Sequence, residues 1–210
     1  MRFLQNKVFW AVAILLVLGW WFFIGPSIKP TNAEGTGTSI IAFGDSLTEG
    51  VGASAGNDYV SVLSRLSGKT ILNKGRAGET TDDAMKRLER DVLSQNPRIV
   101  ILFLGGNDML RRVPVETTRA NLDNIITRIQ DKGALVAMVG LNGIPLSDYH
   151  SPMFREIAEA KKTLLVKNAM GGIMTNATLK ADQVHPNDAG YALIAERIYE
   201  VVKPYLDAMP

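Results

Sequence analysis

The chain has no cysteine. Disulfides, thiolate metal ligands and a lipid-modified cysteine are therefore excluded. It has only two histidines, His150 and His185, well separated in the sequence. With so few soft or imidazole ligands a metal site is not expected, and imidazole catalysis has just two candidates. A basic surplus is also lacking where it would matter. The 210 residues carry a formal charge of +2, but Arg2, Lys7 and Lys29 lie in the first 33 residues, which have no acidic side chain. Taking those three from the 23 basic residues leaves 20 against 21 acidic ones, a net −1 for the remainder. No nucleic-acid partner is expected of such a surface. Internal repeats and low-complexity tracts are absent as well.

What is present falls into three parts. Residues 1–24 read as a transmembrane anchor or signal segment: Arg2 and Lys7 precede an uncharged run over 8–24. As a helix this run is about 26 Å long, near the short end of what spans a bilayer. Trp20, Trp21, Phe22 and Phe23 crowd its far end, where an aromatic belt sits in the interface. The run is long for the apolar stretch of a signal peptide, although cleavage after Thr31-Asn32-Ala33 is the alternative. In both cases the positive flank stays inside and the rest of the chain is placed on the non-cytoplasmic side, periplasmic or extracellular. Residues 25–38, rich in Gly, Pro and Thr, read as a linker, and 39–210 as one globular domain.

Within 39–210, strand-like and helix-like segments alternate. Strands are expected over 39–44, 70–73, 98–104 and 134–141, with a fifth over 163–166 or in the residues up to Met174. Helices are expected over 59–66, 81–95, 115–132, 153–162 and 189–206. The run Arg98-Ile99-Val100-Ile101-Leu102-Phe103-Leu104 is nearly all apolar, as a central parallel strand covered on both faces requires. Leu122, Ile125, Ile126 and Ile129 follow helical spacing, and Gly133 ends that helix. In the last helix Tyr191, Ile194, Ile198, Val201 and Tyr205 form the expected buried stripe. Repeated βα units imply a parallel sheet with helices on both faces, and ligands then bind beyond the carboxyl ends of the strands.

The polar punctuation falls at those ends. Gly44-Asp45-Ser46-Leu47 follows the first strand, and Asn73-Lys74-Gly75-Arg76-Ala77-Gly78-Glu79-Thr80 the second. Gly105-Gly106-Asn107-Asp108 follows the third, and Asp182-Gln183-Val184-His185-Pro186-Asn187 precedes the final helix. Taken singly, each reads as a turn or cap, and Asn187 or Asp188 is the expected cap of the last helix. Taken together they supply an acyl-transfer site. Serine needs a base to remove its proton, and His185 is the candidate, since Asp182 lies three residues before it and can fix its tautomer. His150, beside Tyr149 and Ser151, reads as an exposed loop residue. The N–H groups of Ser46 and Gly78 and the amide of Asn107 are candidate donors to an oxyanion.

With these motifs over roughly 39–207, the chain resembles the SGNH hydrolases, also called the GDSL esterase/lipase family. Gly-Gly-Asn-Asp and the compact length look most like its thioesterase I/lysophospholipase L1 and arylesterase branch. The resemblance implies a three-layer α/β/α sandwich with a flavodoxin-like parallel sheet of about five strands. It implies a triad of Ser46, Asp182 and His185, an oxyanion hole of Ser46, Gly78 and Asn107, and no cofactor or metal. Gly78 is preferred to Gly75 because Asn73, Gly78 and Thr80 match the family spacing N-x-x-x-x-G-x-T. The stretch from Leu141 to Lys180 departs from that branch.

The expected activity is hydrolysis of carboxylic esters (lipid, lysophospholipid or aryl) or acyl thioesters. The alternatives are an O-acetyl esterase of cell-surface polysaccharide and a non-catalytic, membrane-tethered lipid-binding domain. Three other patterns are set aside. Gly52-Ala53-Ser54-Ala55-Gly56 matches G-x-S-x-G but lacks a strand directly before it, so Ser54 is not expected to be a nucleophile. Gly50-Val51-Gly52-Ala53-Ser54-Ala55 fits G-x-G-x-x-A, yet the second strand ends in Asn73 and Lys74 where a dinucleotide site needs an acid. Asn176-Ala177-Thr178 is a formal glycosylation sequon.

Overall fold

The computed structural model describes residues 29–142 and 151–209, with only the backbone of Ser151. The proposed membrane segment at 8–24 and His150 lie outside the described residues. Among the described residues no helix is long and apolar enough to cross a membrane.

Five parallel strands, β1 (Ser39–Gly44), β2 (Ile71–Gly75), β3 (Pro97–Phe103), β4 (Leu135–Val139) and β5 (Leu164–Val166), pair in the order β2-β1-β3-β4-β5. The helices are α1 (Ser46–Glu49), α2 (Tyr59–Ser67), α3 (Thr81–Asp91), α4 (Gly106–Leu110), α5 (Val115–Asp131), α6 (Ser151–Lys161) and α7 (Asp188–Asp207). This is the expected flavodoxin-like α/β/α sandwich. Its core runs along the middle strands: every residue of β4, and all of β3 but Arg98, is buried. Such a strand can hold continuous Val, Ile and Leu because helices remove both of its faces from water.

Most boundaries fall within a residue or two of the expectation. β2 is shifted, starting at Ile71 and running on through Gly75. The expected helix over 81–95 ends at Asp91 and finishes as a separate 3₁₀ turn, Leu93–Gln95. In α7, Val202 and Leu206 are buried, whereas Val201 and Tyr205 are only half-buried. The expected stripe from Tyr191 steps at about 3.5 residues per turn, and it drifts off the buried face of a helix with about 3.6 by the far end of one this long. Two short helices, α1 and α4, replace what the sequence suggested were turns. Each is one turn or so of helix, too short to show a period.

Residues 31–38, within the stretch read as a linker, are bonded to the edge of the domain opposite the strand ends. The Asn32 amide donates to the Gln130 and Ala134 carbonyls at 2.8 and 3.1 Å, and Thr31 Oγ1 to the Lys161 carbonyl at 3.1 Å. Gln130 and Lys161 sit in the last turns of α5 and α6, where carbonyls have no partner within the helix. The segment therefore caps two helices.

β1 stops where close approach requires glycine. A Cβ on Gly44 would lie 2.1 Å from Thr48 Oγ1 and 2.4 Å from the Phe103 carbonyl oxygen. Without it, the chain turns at once into α1, and Asp45 caps that helix by accepting from the Leu47 N–H at 3.1 Å. Arg87 of α3 fixes the same corner from below. Its side chain is 4% exposed and its guanidinium carbon lies 4.4 Å over the Phe43 ring. It donates to the Gly44 carbonyl (3.0 Å), the Lys74 carbonyl (2.9 Å) and the carboxylates of Glu79 and Asp91. A guanidinium so buried is tolerated because its N–H groups find acceptors and its charge finds two carboxylates.

Candidate active site

The four polar clusters meet at the carboxyl ends of β1, β2 and β3, where the strand order reverses direction. In open parallel sheets this switch point is where connections diverge to opposite faces and leave a crevice. Ser46 is the first residue of α1, presented at its rim.

His185 Nε2 lies 3.0 Å from Ser46 Oγ, across 139 residues of sequence. Its Nδ1 lies 2.8 Å from Asp182 Oδ2, while Asp182 Oδ1 accepts from the N–H groups of Val184 and His185, each at 2.8 Å. Asp182 therefore holds both the ring and the main chain of the loop that carries it. The bond to His185, with those backbone N–H groups, lowers the Asp182 carboxyl to about 2. It remains a carboxylate over the range in which an imidazole titrates. An imidazole held this way can take a serine proton while the carboxylate steadies the resulting positive charge.

Gly78 and Asn107 line the same cavity as Ser46 and His185. Asn107 Nδ2 donates to the Glu79 carbonyl at 3.0 Å, and Arg111 Nη2 donates to the Gly78 carbonyl at 2.7 Å, so α4 is bonded to the loop after β2 at two points. A Cβ on Gly78 would meet only Arg111 Nη2, at 3.7 Å, so its face toward the cavity is open. The cavity is about 330 Å³, and Leu47, Val51, Met109, Leu110, Met174 and Val184 make it mostly apolar. A larger hollow of about 590 Å³ between α5 and α6 is lined by Glu116, Arg119, Asp123, Arg128 and Glu156 and holds no paired nucleophile and base.

Sequence reasoning missed the residues beneath the site. Asp108, 1% exposed, accepts from the Thr81 N–H (2.9 Å) and hydroxyl (2.6 Å) and from Thr118 Oγ1 at 3.3 Å. It ties α4 to α3 and α5. Asn73 donates to the Thr48 carbonyl at 2.7 Å and accepts from Gly75 N–H at 2.9 Å, locking the end of β2 to α1. Asp45 is 2% exposed and lines the cavity floor. The signal for these residues was their place in the strand-end clusters, but their partners are distant in sequence. Ser54, the rejected nucleophile, donates through its hydroxyl to Asp188 at 2.5 Å and is not among the cavity-lining residues.

Fold and site together define a hydrolase of the serine ester-cleaving class on a flavodoxin-like α/β/α frame. The sequence model of the GDSL-like Lipase/Acylhydrolase family matches residues 42–193, and the chain belongs to that family. Among curated relatives it is 25% identical to Esterase TesA of Pseudomonas aeruginosa over 181 residues, covering 80% of this chain and 89% of that protein. It is 27% identical to the Arylesterase of Vibrio mimicus over 176 residues, covering 78% and 88%. Among solved structures, esterase EstA from Pseudoalteromonas sp., inhibited by monoethylphosphonate, superposes with TM-score 0.71 at 26% identity, covering 80% of this chain and 98% of that one.

Burial raises the Asp45 carboxyl to about 7, against the lowering effect of the Leu47 N–H. The folded state then holds a proton that the unfolded chain, at about 3.8, releases earlier. Stability should fall as pH rises from about 4 to about 7 and level off above that window. Asp45→Asn keeps the cap acceptor and removes the titration. Urea unfolding of the two proteins across pH 4–8 should show the variant gaining on the wild type up to about pH 7; parallel curves would contradict this origin.

Proposed function

We propose that Ser46 is the nucleophile, His185 the base, Asp182 its orienting partner, and the Ser46 and Gly78 N–H groups with the Asn107 amide the oxyanion donors. The observation that carries this reading is the chain Ser46 Oγ–His185 Nε2–Nδ1–Asp182 Oδ2, at 3.0 and 2.8 Å. His185 accepts the hydroxyl proton as Ser46 Oγ attacks the ester carbonyl carbon. The tetrahedral oxyanion receives hydrogen bonds, including one from the Ser46 N–H, which at the first position of α1 has no intrahelical acceptor. Collapse expels the alcohol or thiol, which takes the proton from His185, and leaves an acyl group on Ser46. Water, deprotonated by His185, then releases the acid and restores the serine.

The apolar cavity supports an acyl group longer than acetyl, on a lipid, lysophospholipid or aryl ester or a thioester. The names of relatives agree with that range, including Thioesterase 1/protease 1/lysophospholipase L1 of Escherichia coli K12, 23% identical over 177 residues. A second reading, an O-acetyl esterase of polysaccharide, draws on the Acetylxylan esterase of Geobacillus stearothermophilus, 27% identical over 201 residues. A panel of p-nitrophenyl acetate, butyrate, hexanoate and octanoate separates them. Burying each added methylene is worth about 0.8 kcal/mol, roughly fourfold in kcat/KM while the cavity still has room. The rate constant should climb from acetate to hexanoate, and His185→Ala should lower it by about a thousandfold or more on every ester. A maximum at acetate favours the second reading. An unchanged His185→Ala protein sinks the assignment.

The domain, 39–210, is held at a membrane by residues 8–24 on its non-cytoplasmic side, a reading supported by Arg2 and Lys7 before an uncharged, aromatic-ended run. Full-length mass in the membrane fraction is the expected result. A soluble product beginning at Glu34 would show a cleaved signal instead.

A further inference from the structure

The G-x-S-x-G sequence around Ser54 has no part in the reaction described above, yet it lies between the two residues whose spacing matters most. Residues 50–57 begin on the nucleophile: the N–H groups of Gly50 and Val51 both donate to the Ser46 carbonyl, at 3.0 Å each. The loop then lies against the segment that carries His185. Gly52 has φ +93°, and a Cβ there would sit 2.6 Å from the Pro186 carbonyl oxygen, 2.9 Å from Ala181 Cβ and 3.2 Å from His185 Cβ. Only glycine permits that backbone conformation and that approach together. Past it, Ser54 grips Asp188 with two donors, its N–H to Oδ1 at 2.7 Å and its hydroxyl to Oδ2 at 2.5 Å. Asn57 Nδ2 donates to Ser54 Oγ at 2.8 Å and to Asp188 Oδ2 at 3.2 Å. Tyr191 Oη closes the other end by donating to the Val51 carbonyl at 2.8 Å.

These bonds make a strap from the Ser46 main chain to the first turn of α7, three residues beyond His185. Asp182 orients the imidazole within its own loop, but nothing in that local contact sets how far the loop stands from Ser46. The strap does. We infer that Ser54 and Asp188 are positioning residues, which hold the His185 segment at the distance where Nε2 reaches Ser46 Oγ. The inference rests on the roles proposed above for Ser46 and His185. Two donors from one residue to both oxygens of one carboxylate fix direction as well as distance, which a single surface ion pair does not. Displacements of an ångström between reacting groups are costly to rate even when they arise away from the reacting atoms.

The test compares Ser54→Ala, Asp188→Ala, the double variant and Ser54→Thr in the full chain, with p-nitrophenyl butyrate as substrate. kcat is taken per active site titrated with a fluorophosphonate, so misfolded protein does not count. We expect each alanine variant to lose about tenfold in kcat per site with KM within about twofold. The double variant should be no worse than the poorer single one, as expected of two groups acting as a unit. Ser54→Thr, which keeps the hydroxyl, should recover most of the rate. Wild-type kcat per site in either alanine variant would overturn the inference, and so would losses that multiply in the double variant or appear only in the number of titratable sites. His185→Ala is the reference arm: its retaining full activity would sink the catalytic reading itself, a result separable from a silent Ser54→Ala beside an inactive His185→Ala.

Discussion

Much of this structure depends on how β1 ends. The strand is paired on both sides, to β2 and β3, and its residues from Ile40 to Gly44 are buried, so it cannot shift without unmaking the sheet. At Gly44 the chain meets the Phe103 carbonyl and Thr48 so closely that it must turn. Ser46 is thereby delivered to the crevice by a rigid element. A nucleophile on a flexible loop would lose the orientation that makes attack effectively intramolecular.

Around that fixed point, the other parts are brought in by buried polar groups. Arg87 joins the Gly44 carbonyl to the β2 side through Lys74 and Glu79, and Asp108 fastens α4 to α3 and α5. In each case a buried polar group has its partners already in place, and it is tolerated only while that geometry holds. The oxyanion candidates Gly78, in the loop after β2, and Asn107, in α4, thus belong to segments that are bonded to each other and anchored from beneath. His185 is the exception. It arrives from the far end of the chain on an exposed loop, where Asp182 holds its ring, Pro186 lies against Gly52, and Asp188 just beyond is bonded to Ser54.

Much of this was legible in the sequence because parallel sheets write strong signals. The continuous apolar run at β3 and the helical spacing in α5 each follow from burial that a side chain cannot avoid. The site clusters were legible for a related reason, as each stands where a strand must stop. The geometry then brought Ser46, Gly78, Asn107 and His185 to one cavity, with Asp182 bonded to His185 behind it. What stayed hidden was interaction between distant residues. Nothing near Arg87 in sequence says that its guanidinium will cover Phe43, and nothing near Ser54 says that Asp188 will meet it. A motif search reads Ser54 as a nucleophile, whereas its hydroxyl is spent on a carboxylate. The short helices α1 and α4 escaped because a single turn carries no period, only a cap, and the caps here are Asp45 and Gly105.

The central claim is that Ser46, and no other hydroxyl, carries the acyl group. Labelling the full chain with a fluorophosphonate, followed by peptide mass spectrometry, tests it most directly. The account predicts one phosphonyl adduct per chain, on the peptide containing Ser46, and none in Ser46→Ala. An adduct at Ser54, or undiminished labelling of Ser46→Ala, would contradict it.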